Sequence, residues 1–437
     1  MAEEAIGQPA SAAAQRRSIT AATVGNALEF YDFVTFTFFS IQIGHTFFPS
    51  QNAYVSLMAS LATFGAGFIT RPIGGIIIGA YSDRAGRRPA MMLSFTLMGA
   101  AIIFLALIPS YAQIGIAAPI LAVLARMVQG FSLGGEVGPT TAYLLESAPP
   151  NRRGFIVSWQ GASQNIASTV GGLVGLGLSA VMSASLLDGY GWRVAFLLGA
   201  VTLPFGLWIR RGMPETLHGP DAAARPAPAR RGMGVIRDHR RILLLGLMVL
   251  AAGTIGTYVF NYMTTFAEHS LHMSPSVAFL ASALGNIGGV VAGLYGGWLS
   301  DRIGRRPMMI WPHLAYVLLI IPIFFWITQA RSPVALVVGT FALGVAGALS
   351  VGAFYAAVTE TLPKHIRGGA FAVIYALSIA IFGGTTQLIV TWLIHVTGSV
   401  MAPAWYLLGA ALIGHAARWL IVESAPIKDP ALVAVMG

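Results

Sequence analysis

The stretch from Gly79 to Arg88 reads G-A-Y-S-D-R-A-G-R-R, and it recurs from Gly297 to Arg306 as G-W-L-S-D-R-I-G-R-R. Each copy is a short, strongly cationic segment between two long apolar runs. The two copies lie about half of the 437-residue chain apart. A motif duplicated at this spacing predicts a chain built from two homologous halves.

A second signature is duplicated at nearly the same offset. The pattern E-x-x-P-x-x-x-R-G runs from Glu146 to Gly154 and returns from Glu360 to Gly368. Two different motifs that repeat at one offset are hard to explain by chance. They strengthen the prediction of two homologous membrane halves.

The composition indicates that most of the chain lies in lipid. Hydrophobic residues make up 56% of the sequence and charged residues only 10%, whereas a soluble domain has about 25% charged residues. The net charge of +10 does not indicate a nucleic-acid partner, because the arginines are confined to alternate loops. The sequence has 0 cysteines, which excludes disulfides and thiol chemistry.

Twelve apolar runs are long enough to cross the hydrocarbon core, which takes about 20 residues. We therefore predict an all-α membrane protein with twelve transmembrane helices in two six-helix pseudo-repeats. The predicted helices, numbered α1 to α12, span residues 20–46, 54–81, 89–109, 113–146, 153–180, 192–211, 241–268, 275–300, 307–330, 333–359, 367–396 and 402–423.

The basic residues predict the orientation of these helices. Most of the 26 lysines and arginines fall in alternate loops, and only Arg193 and Arg331 fall in the turns between them. Cytoplasmic loops carry the excess of basic residues, so both termini should be cytoplasmic.

We expect the chain to divide into five segments with the following roles. The cytoplasmic tails are predicted at residues 1–18 and 424–437. The two six-helix bundles are predicted at 19–211 and 241–423, and the cytoplasmic linker between them at 212–240.

The duplicated G-x-x-x-D-R-x-G-R-R segment resembles a motif of the major facilitator superfamily, which has it between α2 and α3 and again between α8 and α9. The resemblance covers essentially all of residues 20–423. It implies the major facilitator fold and alternating access between two six-helix halves, without ATP hydrolysis.

Further pieces resemble the metabolite:proton symporters of that superfamily, which carry citrate, 2-oxoglutarate, shikimate, or proline and betaine. They include Gly25–Phe33, Arg71–Gly74 and Arg126–Gly134, while Thr46–Pro49 and Ser158–Gln164 are most similar to the citrate and tricarballylate members. The osmosensing proline/betaine members have a long C-terminal coiled coil, and the short segment after α12 does not match it.

Ionisable side chains inside the apolar helices are candidates for function, since each costs at least about 2.5–3.5 kcal/mol in mid-membrane. Asp32 and Glu29 lie three residues apart in α1, so they share one side of the helix. Burial and mutual repulsion of two carboxylates favour protonation near neutral pH. Asp32, Glu29 and Glu136 are therefore the candidates for proton coupling. The alternative for Glu29 is a pair with an arginine.

Arg126 lies near the middle of α4 and is the first candidate for contact with an anionic substrate, since its fork matches a carboxylate. The alternative is a fixed ion pair with Asp32 or Glu29. Arg71 is a second candidate, nearer the cytoplasmic end, where Pro72 predicts a bend. It could instead pair with Glu136.

Neutral polar residues in the helices complete the candidate substrate site. The C-terminal half offers hydrogen-bonding groups where the N-terminal half offers charge. Gln160 and Gln164 share one stripe of α5 and could either bind substrate or join helices. The full set of neutral candidates is Asn26, Gln129, Gln160, Gln164, Tyr258, Asn261, Tyr262 and Tyr355.

The loop motifs are expected to act as a conformational latch and not to bind substrate. By resemblance they join helix ends at the cytoplasmic face and stabilise one conformation. The predicted latch residues of the first half and of the second half are Asp83, Arg87, Glu146 and Arg153, and Asp301, Arg305, Glu360 and Arg367.

These features predict a proton symporter of citrate or a related tri- or dicarboxylate in a bacterial inner membrane. We expect a monomer among lipids with no cofactor, no metal site and no nucleic-acid partner; sodium could assist proton coupling. Carriers of 2-oxoglutarate, shikimate, or betaine and proline are the alternatives within transport. A transporter-like sensor is a remote alternative. The sequence has no arrangement of a nucleophile and a base that would indicate an enzyme.

Overall fold

The computed structural model describes residues 12–85, 87–134, 144–145, 148–201, 204, 239–362, 371 and 373–428. Several predicted features lie outside the described residues: most of the linker at 212–238, Glu136, Glu146 and Arg367. The side chains of Glu29, Asp83 and Arg87 also lie outside what the structure describes.

In the described part of the chain, regular secondary structure is entirely helical, and twelve long segments follow one another in the predicted order. Their bounds are Ala12–Phe38 continued by Ser40–Phe47 (α1), Ala53–Ile69 continued by Arg71–Ala85 (α2), Arg87–Leu107 (α3), Ala117–Leu133 (α4), Arg153–Val181 (α5), Trp192–Val201 (α6), Arg240–Thr265 (α7), Pro275–Ile303 (α8), Arg305–Ala330 (α9), Pro333–Ala348 continued by Val351–Thr361 (α10), Gly384–Thr397 (α11) and Ala402–Leu420 (α12).

Six helices of the described residues are long and apolar enough to cross a membrane. They belong to α2 and to α7, α8, α9, α10 and α11. Two shorter apolar helices, Met92–Leu107 and Ala117–Leu133, lie in α3 and α4. The other six helices, α1, α3, α4, α5, α6 and α12, are not among these spans. Of these, α1, α4 and α5 contain buried polar residues of the candidate site.

One end of the helix bundle carries the duplicated motifs. We call it the motif end, where α2 meets α3 and α8 meets α9, and we call the opposite end the far end. At the far end, Ser332 accepts a hydrogen bond from the amide of Ala335 as α10 begins. An Ncap serine of this kind satisfies an amide of the first helical turn that has no partner within the helix.

Glycines bring α2 and α4 into backbone contact. A Cβ on Gly130 would overlap the carbonyl oxygen of Gly67, and one on Gly74 would overlap that of Phe131. α2 is interrupted at Thr70, just before Pro72, and the Thr70 hydroxyl donates to the carbonyl of Met127 at 2.7 Å. The close approach places Arg126 of α4 beside α1 and α2.

Gly130→Ala should destabilise the protein strongly. The added methyl group meets backbone atoms of α2 that cannot rotate away, and overpacking of this kind costs about 1–3 kcal/mol or more. Gly177→Ala in α5 is the matched control, because nothing lies within 4 Å of its Cβ position. Thermal unfolding in detergent should show a lower Tm for Gly130→Ala and an unchanged or higher Tm for the control. Equal Tm values would contradict the close packing.

The two halves meet along α5 and α8 and along α2 and α11. Near the far end of α5, a Cβ on Gly172 would lie 3.0 Å from the amide nitrogen of Ala283. In α2, a Cβ on Gly65 would lie 2.9 Å from the carbonyl oxygen of Gly384. Small residues therefore allow backbones of different halves to approach closely, and a cavity lies between the halves.

Candidate functional site

A cavity of about 190 Å³ lies between the two halves. α1 and α5 line it from the N-terminal half, and α7, α8, α9, α10 and α12 from the C-terminal half. Four predicted substrate residues are among its lining: Gln164, Tyr258, Asn261 and Tyr355. Asn165, Asn286 and Tyr375 add further polar groups. The wall from the C-terminal half thus offers mainly neutral hydrogen-bonding groups around the centre of the cavity.

A buried ion pair lies beside this cavity. Arg126 of α4 donates from Nη1 to Oδ2 of Asp32 in α1 at 3.1 Å. The exposed fractions of the two side chains are 0% and 1%. Gln129, one turn after Arg126, accepts from Arg126 Nη1 and donates to Asp32 Oδ1 at 3.3 Å. The structure thus brings three of the predicted residues into one network.

The guanidinium of Arg126 is not saturated by this network. Its Nε and Nη2 atoms are buried and have no hydrogen-bond partner among the described residues. Buried polar atoms are almost always hydrogen-bonded, so two unpaired donors on one fork require an explanation. A ligand with acceptor oxygens would satisfy both.

Aromatic rings separate Arg126 from the cavity. Its Cζ lies 4.9 Å from the ring centre of Phe33, 4.6 Å from that of Phe36 and 5.3 Å from that of Phe64. Phe33 also lies 4.3 Å from Cζ of Arg71 and itself lines the cavity. The ring of Phe33 therefore contacts both arginines and the cavity, and attraction between cations and rings stabilises this arrangement.

Sequence reasoning missed Phe33. Its position directly after Asp32 gave no signal, because adjacent residues of a helix point in different directions. Aromatic residues are common in membrane helices, so nothing else in the sequence distinguishes this phenylalanine.

The two glutamines of α5 have different surroundings. Gln160 donates to Oδ1 of Asn26 at 3.2 Å, while Asn26 donates to Oγ of Ser163 at 2.6 Å. This network joins α5 to α1 away from the cavity lining. Gln164 instead lines the cavity and donates to the hydroxyl of Tyr375 at 3.3 Å. Among the described contacts, Gln160 and Asn26 thus join helices, and Gln164 faces the cavity.

The remaining predicted substrate residue, Tyr262, is buried and accepts a hydrogen bond from Thr391 of α11 at 2.9 Å. It is not among the residues that line the cavity. No cluster of three or more candidate metal ligands occurs within the described part of the chain.

At the motif end, three of the predicted latch residues of the second half, Asp301, Arg305 and Glu360, form one buried cluster. Asp301 accepts from the backbone amides of Gly154 and Phe155 at 2.8 and 2.9 Å. It also accepts from Nη1 of Arg305 at 2.7 Å. A carboxylate at the N-terminus of α5 is favourable because the helix dipole is positive there. Asp301 therefore joins α8 of the second half to α5 of the first.

Arg305 extends this cluster to α10 and to the segment after α12. Its Nε and Nη2 donate to Glu360 at 3.1 and 2.9 Å, and its backbone amide donates to Glu423 at 2.8 Å. Sequence reasoning missed Glu423, because it follows α12 and belongs to no repeated motif. In the first half, Nε of Arg153 has no partner among the described residues, and its expected partner Glu146 lies outside them.

Asp301→Asn should slow transport turnover and leave solute affinity within about three-fold. The amide keeps an acceptor for one backbone N–H but loses the charge that pairs with Arg305, an interaction of about 1.5–3 kcal/mol when charge-assisted. Exchange rates and equilibrium binding on the purified protein separate the two effects. Asp188→Asn, in a half-exposed pair with His45 at the far end, is the control. Loss of binding in folded Asp301→Asn would contradict a latch role.

Two six-helix halves around a central cavity, with a buried ion pair beside it, are typical of a membrane transporter. The family model of the Major Facilitator Superfamily matches residues 22–378 and 257–434, and the chain belongs to that superfamily. This match confirms the resemblance found in the sequence and the prediction of a multi-pass membrane transporter rather than an enzyme.

Named relatives extend this result. The chain is 36% identical over 409 residues to the citrate-proton symporter of Salmonella typhi, covering 92% of this chain and 93% of the relative. It is 32% identical over 435 residues to a glycine betaine/proline/ectoine/pipecolic acid transporter of Dickeya dadantii, covering 94% and 85%.

A solved structure supports the fold. The xylose transporter XylE from E. coli, in a partially occluded inward-open conformation, matches with a TM-score of 0.74 and 18% identity. The match covers 93% of this chain and 98% of the other. At this identity the likeness concerns the fold alone, and it confirms the predicted fold class.

Proposed function

We propose that this chain is a proton-coupled symporter of citrate or a related tri- or dicarboxylate. The observation that carries the proposal is the buried pair of Asp32 and Arg126, in which one guanidinium keeps two unpaired donors. The relationship to a citrate-proton symporter over nearly the whole chain supports it. An arginine with free donors suits a carboxylate, and a buried aspartate suits a proton.

Coupling follows from the geometry of this pair. While Asp32 is ionised, it accepts from Arg126 and neutralises the charge of the guanidinium. Protonation of Asp32 removes that partner and leaves a buried, uncompensated cation, which is strongly unfavourable. A solute carboxylate then restores neutrality by binding the fork, once the Phe33 ring has moved aside. Anion and proton are therefore bound together or not at all.

The opposite wall of the cavity would bind the rest of the solute. Tyr258, Asn261 and Tyr355 offer donors and acceptors without a second fixed charge. A solute held by α4 on one side and by α7 and α10 on the other joins the two halves. Rocking of the halves around it then exposes the site to each side in turn.

Betaine or proline is the second candidate solute. The relative from Dickeya dadantii supports it, and so do the tyrosines and Phe33 around the cavity, because aromatic rings attract quaternary ammonium groups. In that case the Asp32–Arg126 pair would stay fixed and structural. Proton-coupled transport of 2-oxoglutarate or shikimate is a further alternative within the proposed class of symporters.

We further propose a monomer in a bacterial inner membrane with both termini in the cytoplasm. The bundles would comprise residues 19–211 and 241–423, with the linker 212–240 on the cytoplasmic side. Reporter fusions at residues 225 and 364 test the topology: a location outside the cell for either fusion would contradict it. Sodium is the alternative coupling ion, and replacement of sodium by potassium tests it.

Uptake of labelled citrate into proteoliposomes tests the proposed function. An inward proton gradient should drive accumulation, a protonophore should abolish it, and excess unlabelled betaine should not compete. Uptake of labelled betaine without citrate uptake would establish the second candidate instead. Empty liposomes provide the background.

A further inference from the structure

The cavity extends into the C-terminal half, beyond the residues that the proposed cycle uses. There it is lined by His313 and Tyr316 of α9 and by Arg418 of α12. We call this region the α9/α12 arm. Arg418 lies close to the end of α12 at Leu420, and Glu423, just beyond it, binds the backbone of Arg305 at the motif end. The arm is therefore on the motif-end side of the cavity.

Arg418 is a buried cation whose donors are not used. Its side chain is 4% exposed, and its Nε and Nη1 atoms have no hydrogen-bond partner in the described part of the chain. No described carboxylate lies within ion-pair distance of it. The ring of Phe354 is 5.9 Å away, at the limit of cation–π attraction. Such a group in a membrane helix is a candidate binding residue.

Neighbouring side chains limit what the arm can bind. His313 stacks on His415 with ring centres 5.5 Å apart, and the two Nδ1 atoms are 3.3 Å apart. His415 also accepts from the indole of Trp419 at 3.0 Å. The groups around Arg418 are thus neutral or cationic, and they would repel a cationic solute. An anion with planar acceptor oxygens fits the free side of the guanidinium.

We propose that the α9/α12 arm is a second anion site, in which Arg418 holds a carboxylate between the central cavity and the motif end. The carboxylate identity rests on the proposed function, whereas the preference for anions rests on Arg418 itself. Arg126 and Arg418 belong to different halves. A solute that leaves the first arginine therefore meets the second on the other half, along the path to the motif end.

The absence of cysteine from the sequence allows a direct test. Gly253 of α7 lines the same cavity, and nothing lies within 4 Å of its Cβ position. Gly253→Cys therefore introduces a single accessible thiol. Its rates of modification by methanethiosulfonate reagents bearing a sulfonate or a trimethylammonium group are compared, each relative to the rate with free cysteine.

The sulfonate reagent should react at least about tenfold faster, as a charged cleft raises the local concentration of its counter-ion by 10–10³. Arg418→Gln in the same background should remove the preference, and Arg418→Lys should retain it. Arg331→Gln, at an arginine that begins the turn after α9, is the matched control and should leave it unchanged. Equal rates on Gly253→Cys alone, or a preference that survives in folded Arg418→Gln, would overturn the anion site.

Citrate separates this inference from the proposed function. Citrate added to Gly253→Cys should slow the sulfonate reagent, and half-maximal protection should need at least about tenfold more citrate in Arg418→Gln, where the central site alone remains. Sulfonate preference without protection by citrate would support the anion site and count against citrate as the solute. An unchanged citrate concentration for half-maximal protection in Arg418→Gln would overturn the role of Arg418.

Discussion

Asp32→Asn protein should exchange citrate across a membrane but fail to accumulate it. Asparagine resembles the protonated carboxyl, so Arg126 stays available to the solute, but the amide has no proton to release. Labelled citrate should therefore equilibrate between proteoliposome interior and medium at a measurable exchange rate. Under an inward proton gradient, its internal level should not rise above the external level.

Two further measurements make this result specific. Without citrate, Asp32→Asn leaves a buried, uncompensated guanidinium, which typically costs about 3–5 kcal/mol, so the Tm should fall and citrate should restore it. Asp188→Asn, a half-exposed aspartate outside the cavity, should accumulate citrate normally. If Asp32→Asn accumulates citrate as the unmodified protein does, the coupling carboxyl lies elsewhere, with Glu29 and Glu136 next to test.

Arg126→Lys should weaken citrate binding by about 1.5–3 kcal/mol, the usual contribution of a charge-assisted hydrogen bond. Lysine keeps the positive charge beside Asp32 but lacks the planar fork that binds a carboxylate through two donors. Titration calorimetry on purified protein should show an affinity lower by roughly ten-fold to more than one hundred-fold, since 1.4 kcal/mol is tenfold.

Arg331→Lys is the control for this substitution, because it makes the same chemical change outside the cavity. Its citrate affinity should be unchanged. If Arg126→Lys lowers the Tm or the yield but leaves affinity intact in the folded fraction, Arg126 has a structural role. That outcome would favour the betaine or proline alternative.

The fold was predictable because lipid imposes simple rules on sequence. Runs of about 20 apolar residues reveal the helices, and the repeat of Asp83 at Asp301 reveals the two halves. The interruptions within helices were harder to predict. Pro72 indicated a bend in α2. The interruption of α10 between Ala348 and Val351 is flanked by Gly347 and Gly352, but glycines are too frequent in these helices to mark one break.

The charged residues of the candidate site were predictable from the sequence. Asp32 and Arg126 are conspicuous because charges are rare in apolar helices, although only packing shows that Arg126 meets Asp32. Gln160 and Gln164 lie on one stripe of α5, yet the first joins Asn26 and the second faces the cavity. That difference depends on the tilt of α1 against α5, which sequence periodicity does not specify.

Aromatic residues and distant loops were beyond sequence reasoning. Phe33 contacts both arginines, but in the sequence it cannot be distinguished from a phenylalanine that faces lipid or the core. Glu423 reaches Arg305 from beyond α12, and the contact exists only because helix ends converge at the motif end. Non-local contacts of this kind require the assembled fold.

Proton movement coupled to citrate tests the central claim most directly. Citrate is added outside proteoliposomes that have no initial pH gradient, in weakly buffered medium, and the external pH is recorded. The account predicts that the medium becomes more alkaline as citrate enters with protons. Asp32→Asn liposomes preloaded with unlabelled citrate should take up labelled citrate by exchange without this change. Citrate entry into unmodified proteoliposomes with no change in external pH would contradict proton coupling.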